Sequence, residues 1–261
     1  MAAQKLAGGG AEEAGGADGR GGGVLMVPTG EHRRLYLFRN TLTLDATRYD
    51  LLNEDDLFKS SKLGRNLYVV PNSDLRGYYG LPEMLERPRL RLNARRQLLD
   101  FYGYGPYFVS ARAREHLLSV DPSAFEFVEC ETVGAKGEAL EAYWMMDIAR
   151  LVMNFDEQAS EFITYAERNP EAPDTTTNPL ISELIDIRLM AGFPDDHRAF
   201  RFSRYIRCFV ADEILVDGWI KAGLRGAQFT PLQRPTAAEM KRRSRYIIPT
   251  TWYRRLQAER P

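Results

Sequence analysis

The stretch CFVADEILVDGWIKAGLRGAQFTPL, from Cys208 to Leu232, has the pattern of a strand, a helix and a second strand. Phe209 to Ala211 is an apolar run of strand type. The carboxylate of Asp212 can accept hydrogen bonds from the free N–H groups that begin a helix, so we expect Asp212 to be the N-cap. Apolar residues then recur at helical spacing and predict one buried helix face: Ile214, Leu215, Gly218, Trp219 and Ala222.

The end of this helix and the second strand are also marked in the sequence. Gly223 can adopt the left-handed conformation that commonly ends a helix. Arg225-Gly226 is then expected to turn the chain, and residues 227–230 alternate like a half-buried strand with Phe229 on the apolar side. We therefore assign structural roles to Gly223, Gly226 and Phe229.

An earlier segment follows the same order. Phe108-Val109-Ser110 matches the apolar run before Asp212, with Ser110 as the predicted N-cap, and Phe125 to Val128 matches the closing strand. The two segments, 106–131 and 207–232, predict similar strand–helix–strand units in a pseudo-symmetric fold. Chance likeness between short units is the alternative.

The remaining segments complete an α+β (mixed α/β) protein that is rich in sheet and has a short C-terminal helix. Residues 1–23 form a Gly/Ala-rich head, which we expect to be disordered because it has too little apolar surface to fold. We expect an N-terminal α+β part at 24–100 and a core at 101–235. The basic helix and tail at 236–261 begin with a capping box, Thr236 to Glu239.

Composition excludes several classes of protein. With 35 basic and 36 acidic residues among 261, the net charge of −1 favours neither nucleic acid nor a membrane as partner. Cys130 and Cys208 lack metal-site spacing and are expected to be reduced structural thiols. No apolar stretch reaches the length of a membrane span, and the N-terminus lacks the apolar region of a signal peptide. We expect a cytoplasmic protein without a cofactor or metal.

The sequence contains few candidates for catalysis. It has neither a phosphate-binding glycine loop followed by Lys and Ser/Thr nor a G-x-S-x-G motif. Asp195, Asp196 and His197 form the only local cluster that could bind a metal or move protons. A structural turn is the favoured interpretation, since three adjacent residues do not easily point at one ion. Cys130, within a predicted core strand, is expected to be inert.

Three charged segments allow two interpretations each. Glu54 to Asp56 favours the start of a short helix over a cation site. Arg87 to Arg96, RPRLRLNARR, favours an exposed strand with one buried face over a phosphate-binding patch. The arginines and aromatic residues of 241–255 favour a docked C-terminal helix over a site for single-stranded nucleic acid.

The order of short motifs from Phe108 to Leu232 resembles a bacterial immunity-protein family of polymorphic toxin systems, the Myxococcus-type immunity domain, formerly a domain of unknown function. The resemblance rests on the following residues: Val109-Ser110, Asp156 with Ser160, Phe200-Arg201, Gly223, Gly226 and Phe229. It makes 101–235 an immunity-type core. It implies a protein that binds and neutralises a cognate toxin without catalysis, and it supplies no catalytic residues.

Exposed aromatic residues on loops are the predicted contacts with the toxin. Those chosen from the sequence are Tyr78, Tyr79, Tyr102 and Tyr104. Two other functions stay open at this point. The protein could be an adaptor or chaperone for an effector, or an enzyme with a site near Asp195, Asp196 and His197.

Overall fold

The computed structural model describes the larger part of the chain. Its described residues are 33–40, 49–57, 81, 84–93, 97–103, 107–152, 155–164 and 181–233, without the side chains of Asp55 and of residues 206–208. All of them fall within one unit. Several predictions therefore lie outside the described residues: the head at 1–23, the segment 236–261, Tyr78, Tyr79 and Tyr104.

Two main sheets and two helices position the rest of the fold. The first sheet contains, in spatial order, β14 (Ala227–Pro231), β1 (Leu35–Asn40), β13 (Tyr205–Asp212), β12 (Ala199–Phe202) and β9 (Leu151–Val152). The second contains, in spatial order, β4 (Phe101–Tyr102), β5 (Tyr107–Ser110), β8 (Tyr143–Ile148) and β6 (Phe125–Glu129). Helix α2 (Ala111–Val120) connects β5 to β6, and α3 (Glu213–Lys221) connects β13 to β14.

The two strand–helix–strand units have the same topology. Strands β5 and β6 both run antiparallel to β8, which lies between them, so they are parallel to each other. Strands β13 and β14 flank β1 in the same way. A preceding antiparallel strand, β4 or β12, extends each unit. The predicted sheet-rich α+β class is confirmed, and the likeness extends one strand further than the sequence indicates.

Side chains cap both helices at the predicted positions. The Ser110 hydroxyl accepts a hydrogen bond from the Ala113 N–H at 3.3 Å. The Asp212 carboxylate accepts one from the Leu215 N–H at 3.0 Å. Each cap satisfies a donor that the helix itself leaves without a partner.

Gly223 ends α3 in the left-handed conformation, with φ of +65°. Its N–H donates to the Ile220 carbonyl at 3.0 Å, and the Leu224 N–H donates to the Trp219 carbonyl at 3.2 Å. This pair of bonds is a Schellman motif, which satisfies the last carbonyls of the helix. Trp219 and Leu224 are both buried, which adds the hydrophobic contact that often accompanies the motif.

Gly226 brings the following turn against β4. Its φ is +100°, and a Cβ atom at this position would lie 2.2 Å from the Phe101 carbonyl oxygen. Conformation and close approach therefore both require glycine here.

The two helices pack against each other in opposite directions. Near one end of the pair, the Arg112 guanidinium donates to the Ala222 carbonyl at 2.8 Å. Near the middle, His116 Nε2 lies 3.1 Å from the Leu215 carbonyl oxygen. A Cβ atom on Gly218 would lie 2.4 Å from the His116 ring, so the absence of a side chain at Gly218 makes room for the imidazole.

The central hydrophobic cluster contains side chains from both main sheets and both helices. Phe38 on β1 is its centre: its ring centroid lies 4.3 Å from that of Phe209 and 5.0 Å from those of Trp219 and Phe229. Aromatic side chains bury large apolar areas and gain further from such geometry. Phe229 thus has the structural role that the sequence predicts.

A smaller sheet or hairpin packs on each main sheet and positions the surface residues. The β10–β11 hairpin (Glu161–Thr164 and Ile181–Asp186) packs against the first sheet. A three-stranded sheet of β2 (Tyr49–Leu51), β3 (Arg89–Leu92) and β7 (Glu131–Gly134) packs against the second. The short helix α1 (Glu54–Leu57) follows β2. Strands from before and after residue 100 therefore lie in the same sheets, since β1 pairs with β13 and β3 pairs with β7.

Candidate functional site

Of the four tyrosines predicted to contact a toxin, the structure describes only Tyr102. Its side chain is fully buried in a cluster with Phe108 and Met145, and its hydroxyl accepts a hydrogen bond from the Leu99 N–H at 2.8 Å. The expectation that Tyr102 is exposed is therefore wrong, because its ring fills the space between the second sheet and the smaller sheet. Partner binding by Tyr78, Tyr79 and Tyr104 stays a prediction.

The turn that contains Asp195, Asp196 and His197 is held by Arg33. One guanidinium nitrogen of Arg33 donates to the Pro194 carbonyl at 3.2 Å and to the His197 carbonyl at 2.9 Å. A second nitrogen donates to the Asp195 carbonyl. The two aspartates are exposed. Arg33 thus binds the backbone of the turn.

The imidazole of His197 packs against Phe193, with 5.6 Å between the ring centroids. Burial and, after it, the positive charge of Arg150 lower the pKa of His197. The described residues contain no group of three His, Cys, Asp or Glu side chains that could hold a metal ion. These contacts favour the structural interpretation of the turn.

Cys130 is a buried free thiol. Burial raises its pKa to about 12, so the thiol stays protonated at neutral pH. Because the thiolate is the nucleophile, Cys130 is unsuited to covalent catalysis.

Asp121, at the end of α2, accepts hydrogen bonds from a distant part of the chain. The backbone N–H groups of Arg198 and Ala199 donate to its carboxylate at 2.7 and 3.1 Å, and Arg150 adds a donor at 2.9 Å. Burial alone would raise the pKa of Asp121, but the hydrogen bonds from Arg150, Ala199 and Arg198 outweigh it and lower the pKa.

Asp212 and Asp147 are also paired with arginines. The Asp212 carboxylate, fully buried, is 2.8 Å from Arg198 and 3.4 Å from Arg33. Arg201 is 2.6 Å from Asp147. Burial raises the pKa of Asp147, and the adjacent Arg201 opposes this. Arg201, part of the Phe200-Arg201 motif, is thus engaged in a buried ion pair.

The arginine-rich segment is described for residues 87–93, and β3 within it has the predicted exposed and buried faces. Leu90 and Leu92 are buried, whereas Arg89 is exposed. Arg87 pairs with Glu129, and Arg89 lies 3.5 Å from Glu131. These pairs leave less positive charge for a phosphate and favour the strand interpretation.

Asp156 and Ser160 connect the loop before β10 to the chain that follows β11 through hydrogen bonds. The Asp156 N–H donates to the Arg188 carbonyl at 2.9 Å, and the Ser160 hydroxyl accepts from the Arg188 N–H at 2.9 Å. Asp156 also caps the turn by accepting from the Ala159 N–H at 3.0 Å. Asp156 and Ser160 therefore have a structural role.

The described part of the chain exposes four large apolar side chains: Leu52, Leu85, Met190 and Ile214. The prediction that Ile214 and Ala222 lie on the buried face of α3 is wrong, because both are exposed and the helix buries Leu215, Val216 and Trp219. Exposed leucines give no sequence signal of their own, because helices and strands also carry leucine on buried faces. No helix in the described ranges is long and apolar enough to cross a membrane.

Comparison with known proteins identifies the family. The protein-family model described as "Immunity protein family (Imm11)" matches residues 34–234 of this chain. The match begins at β1, so it includes chain well before Phe108, where the resemblance noted from the sequence begins. No curated protein matches the chain. Because the match covers both main sheets and most of the sequence, the chain belongs to the immunity protein family Imm11.

Proposed function

We propose that this protein binds one cognate toxin in the cytoplasm and neutralises it without catalysis. Membership of the immunity protein family is the observation that carries the proposal. The partner is therefore a toxin or effector protein of a polymorphic toxin system, and protection comes from occupying the toxin's surface.

The chemistry of the described residues supports a binding role. Asp121, Asp147 and Asp212 are each engaged by arginine or backbone donors inside the fold. The thiol of Cys130 is buried and protonated at neutral pH. A fold in which these three carboxylates are engaged internally suits a protein that recognises its partner by shape and surface charge.

Co-expression with the toxin encoded by the neighbouring gene tests the proposal. We expect the protein to restore growth and to co-purify with the toxin. Recovery of a complex without restored growth would favour an adaptor or chaperone. Failure of both rescue and co-purification would overturn the proposal.

A triple variant separates binding from catalysis. Replacing Asp195, Asp196 and His197 with alanine removes the side chains on which the alternative enzymatic mechanism depends. We expect this variant to restore growth as the wild type does. Loss of protection by a variant that still folds and still binds the toxin would support an enzymatic role instead.

A further inference from the structure

We infer that the toxin docks on a surface formed by Leu52, Glu54, Asp56, Leu85 and Glu86, and that it presents an apolar contact surrounded by lysine or arginine. This surface is called the leucine platform below. The inference rests on the proposed function and adds to it the place of contact and the chemistry of the partner.

Two chain segments are joined to make the leucine platform. The Leu52 N–H donates to the Arg89 carbonyl at 2.8 Å, and the Leu85 N–H donates to the Leu57 carbonyl at 2.9 Å. Residues 52–57 and 85–89 therefore lie side by side in opposite directions. The two exposed leucines belong to backbone that is hydrogen-bonded in place.

The side chain of Asn53 connects the two segments of the leucine platform by hydrogen bonds. The residue is 6% exposed. Its side-chain oxygen accepts from the Arg89 N–H at 2.9 Å, and its side-chain nitrogen donates to the Arg87 carbonyl at 3.0 Å. Leu57, at the end of α1, is fully buried. A surface fixed in this way loses little conformational entropy when a partner binds, so more of the contact energy becomes affinity.

The leucines supply the apolar part of the contact. Leu52 is 38% and Leu85 is 55% exposed. A single exposed leucine needs no explanation. Two of them on a pair of segments held together by hydrogen bonds add exposed apolar surface of the kind that marks interaction sites.

Charge determines the chemistry of the partner. Glu54, Asp56 and Glu86 are exposed on the same two paired segments as the leucines. The neighbouring arginines, Arg87 and Arg89, pair with the acidic residues Glu129 and Glu131. Within the described parts of these two segments, the charged side chains outside the two ion pairs are therefore acidic, and a basic partner surface complements them.

The other exposed apolar side chains serve as a comparison. Met190 lies next to the turn that carries Asp195 and Asp196, where Arg33 contributes positive charge. Ile214 lies in the first turn of α3, beside the N-cap to which Arg33 and Arg198 are paired. Positive and negative charges are closer to balance around Met190 and Ile214 than on the leucine platform. These two residues therefore provide matched controls for the leucine substitutions.

The first experiment measures the affinity of purified full-length protein for the toxin encoded by the neighbouring gene. Replacing both Leu52 and Leu85 with serine should weaken binding by roughly ten-fold or more, because the variant no longer buries two leucine side chains against the partner. The control with Met190 and Ile214 both replaced by serine should bind within about two-fold of the wild type, because surrounding contacts contribute little. Wild-type affinity in the leucine variant would overturn the inference and leave the immunity function standing.

The second experiment tests the charge of the partner. Glu54→Lys combined with Asp56→Lys should slow association and reduce the dependence of affinity on salt. Asp195→Lys combined with Asp196→Lys is the matched control and should keep both properties. Unchanged association and salt dependence in the first variant would contradict a basic partner.

Melting temperatures show whether each variant folds. If a double variant is unstable, Leu85→Gln and Glu54→Gln replace it as single, conservative changes at exposed positions, with the same expected directions. Failure of the wild-type protein to bind the toxin would overturn the proposed function and this inference together. Wild-type affinity in the Leu52 and Leu85 variant would overturn this inference alone, so the two failures can be distinguished.

Discussion

Asp100 and Arg225 exchange two hydrogen bonds across 125 residues of chain. The Arg225 N–H donates to the Asp100 carboxylate at 2.9 Å, and the Asp100 N–H donates to the Arg225 carbonyl at 2.9 Å. The same carboxylate accepts from the hydroxyl of Ser110, the N-cap of α2, at 2.7 Å. Asp100 thus joins the start of α2 to the turn after α3.

Asp121 makes the corresponding connection at the other end of the helix pair. It ends α2 and accepts from the backbone of Arg198, whose side chain pairs with Asp212, the N-cap of α3. Each helix start is therefore tied to the end of the other helix through an aspartate. This arrangement is a second likeness between the two units, beyond their shared topology.

Asp100→Ala should lower the free energy of unfolding by about 2–3 kcal/mol, because it leaves the Ser110 hydroxyl and the Arg225 N–H without their charged acceptor. Urea unfolding measures the change. Asp195→Ala, at an exposed position, is the control and should change stability by less than about 0.5 kcal/mol. Equal effects of the two substitutions would show that Asp100 does not join the units energetically.

Gly223→Val should destabilise the fold by about 1–2 kcal/mol or more, because a β-branched residue is strained at a φ of +65°. Ala222→Val is the matched control: the preceding residue has φ of −72° and is also exposed. Thermal unfolding of both variants measures the difference. A melting temperature for Gly223→Val equal to that of the control would contradict this account of the helix end.

Stability should depend on pH through Asp121. Its folded-state pKa is lowered, so its stabilising contribution is complete above the unfolded pKa of about 3.9 and is lost as the pH falls through the folded value. Asp121→Asn should be less stable than the wild type at neutral pH, and the difference should narrow below about pH 4. Urea unfolding across a pH series tests this. A difference that stays constant across the series would exclude the carboxylate as its source.

Deletion of residues 1–23 should leave both stability and toxin binding unchanged. The Gly/Ala-rich composition offers no apolar face that could dock on the rest of the protein. Melting temperature and affinity of the truncated protein, compared with the full chain, provide the measurement. A decrease in either would show that the head contributes to the fold or to the interface.

Local chemistry explains which features the sequence could predict. Ser110, Asp212 and Gly223 act on residues within four positions of themselves, so their types and spacing suffice. Asp121 bonds to residues 77 and 78 positions away, and no local pattern marks it. The strands that complete the two units, β8 and β1, likewise come from outside them.

The sequence does not show whether a residue is buried or exposed when its side chain suits both environments. Tyr102 lies in the run FYGYG, whose tyrosines can pack through their rings or contact a partner through their hydroxyls. Its burial depends on side chains of β2 and β3, among them Leu51, Leu90 and Leu92, which meet it only in the folded chain. The exposure of Leu52 and Leu85 could not be predicted for the same reason, because it depends on how residues 52–57 and 85–89 pair.

Titration of the toxin's activity with purified protein tests the central claim most directly. Neutralisation by binding predicts that activity falls in proportion to added protein and disappears at an equimolar ratio, with a stable complex recovered at that point. The triple alanine variant at Asp195, Asp196 and His197 should give the same titration. Complete inactivation by far less than one equivalent, or undiminished activity in excess protein, would contradict the account.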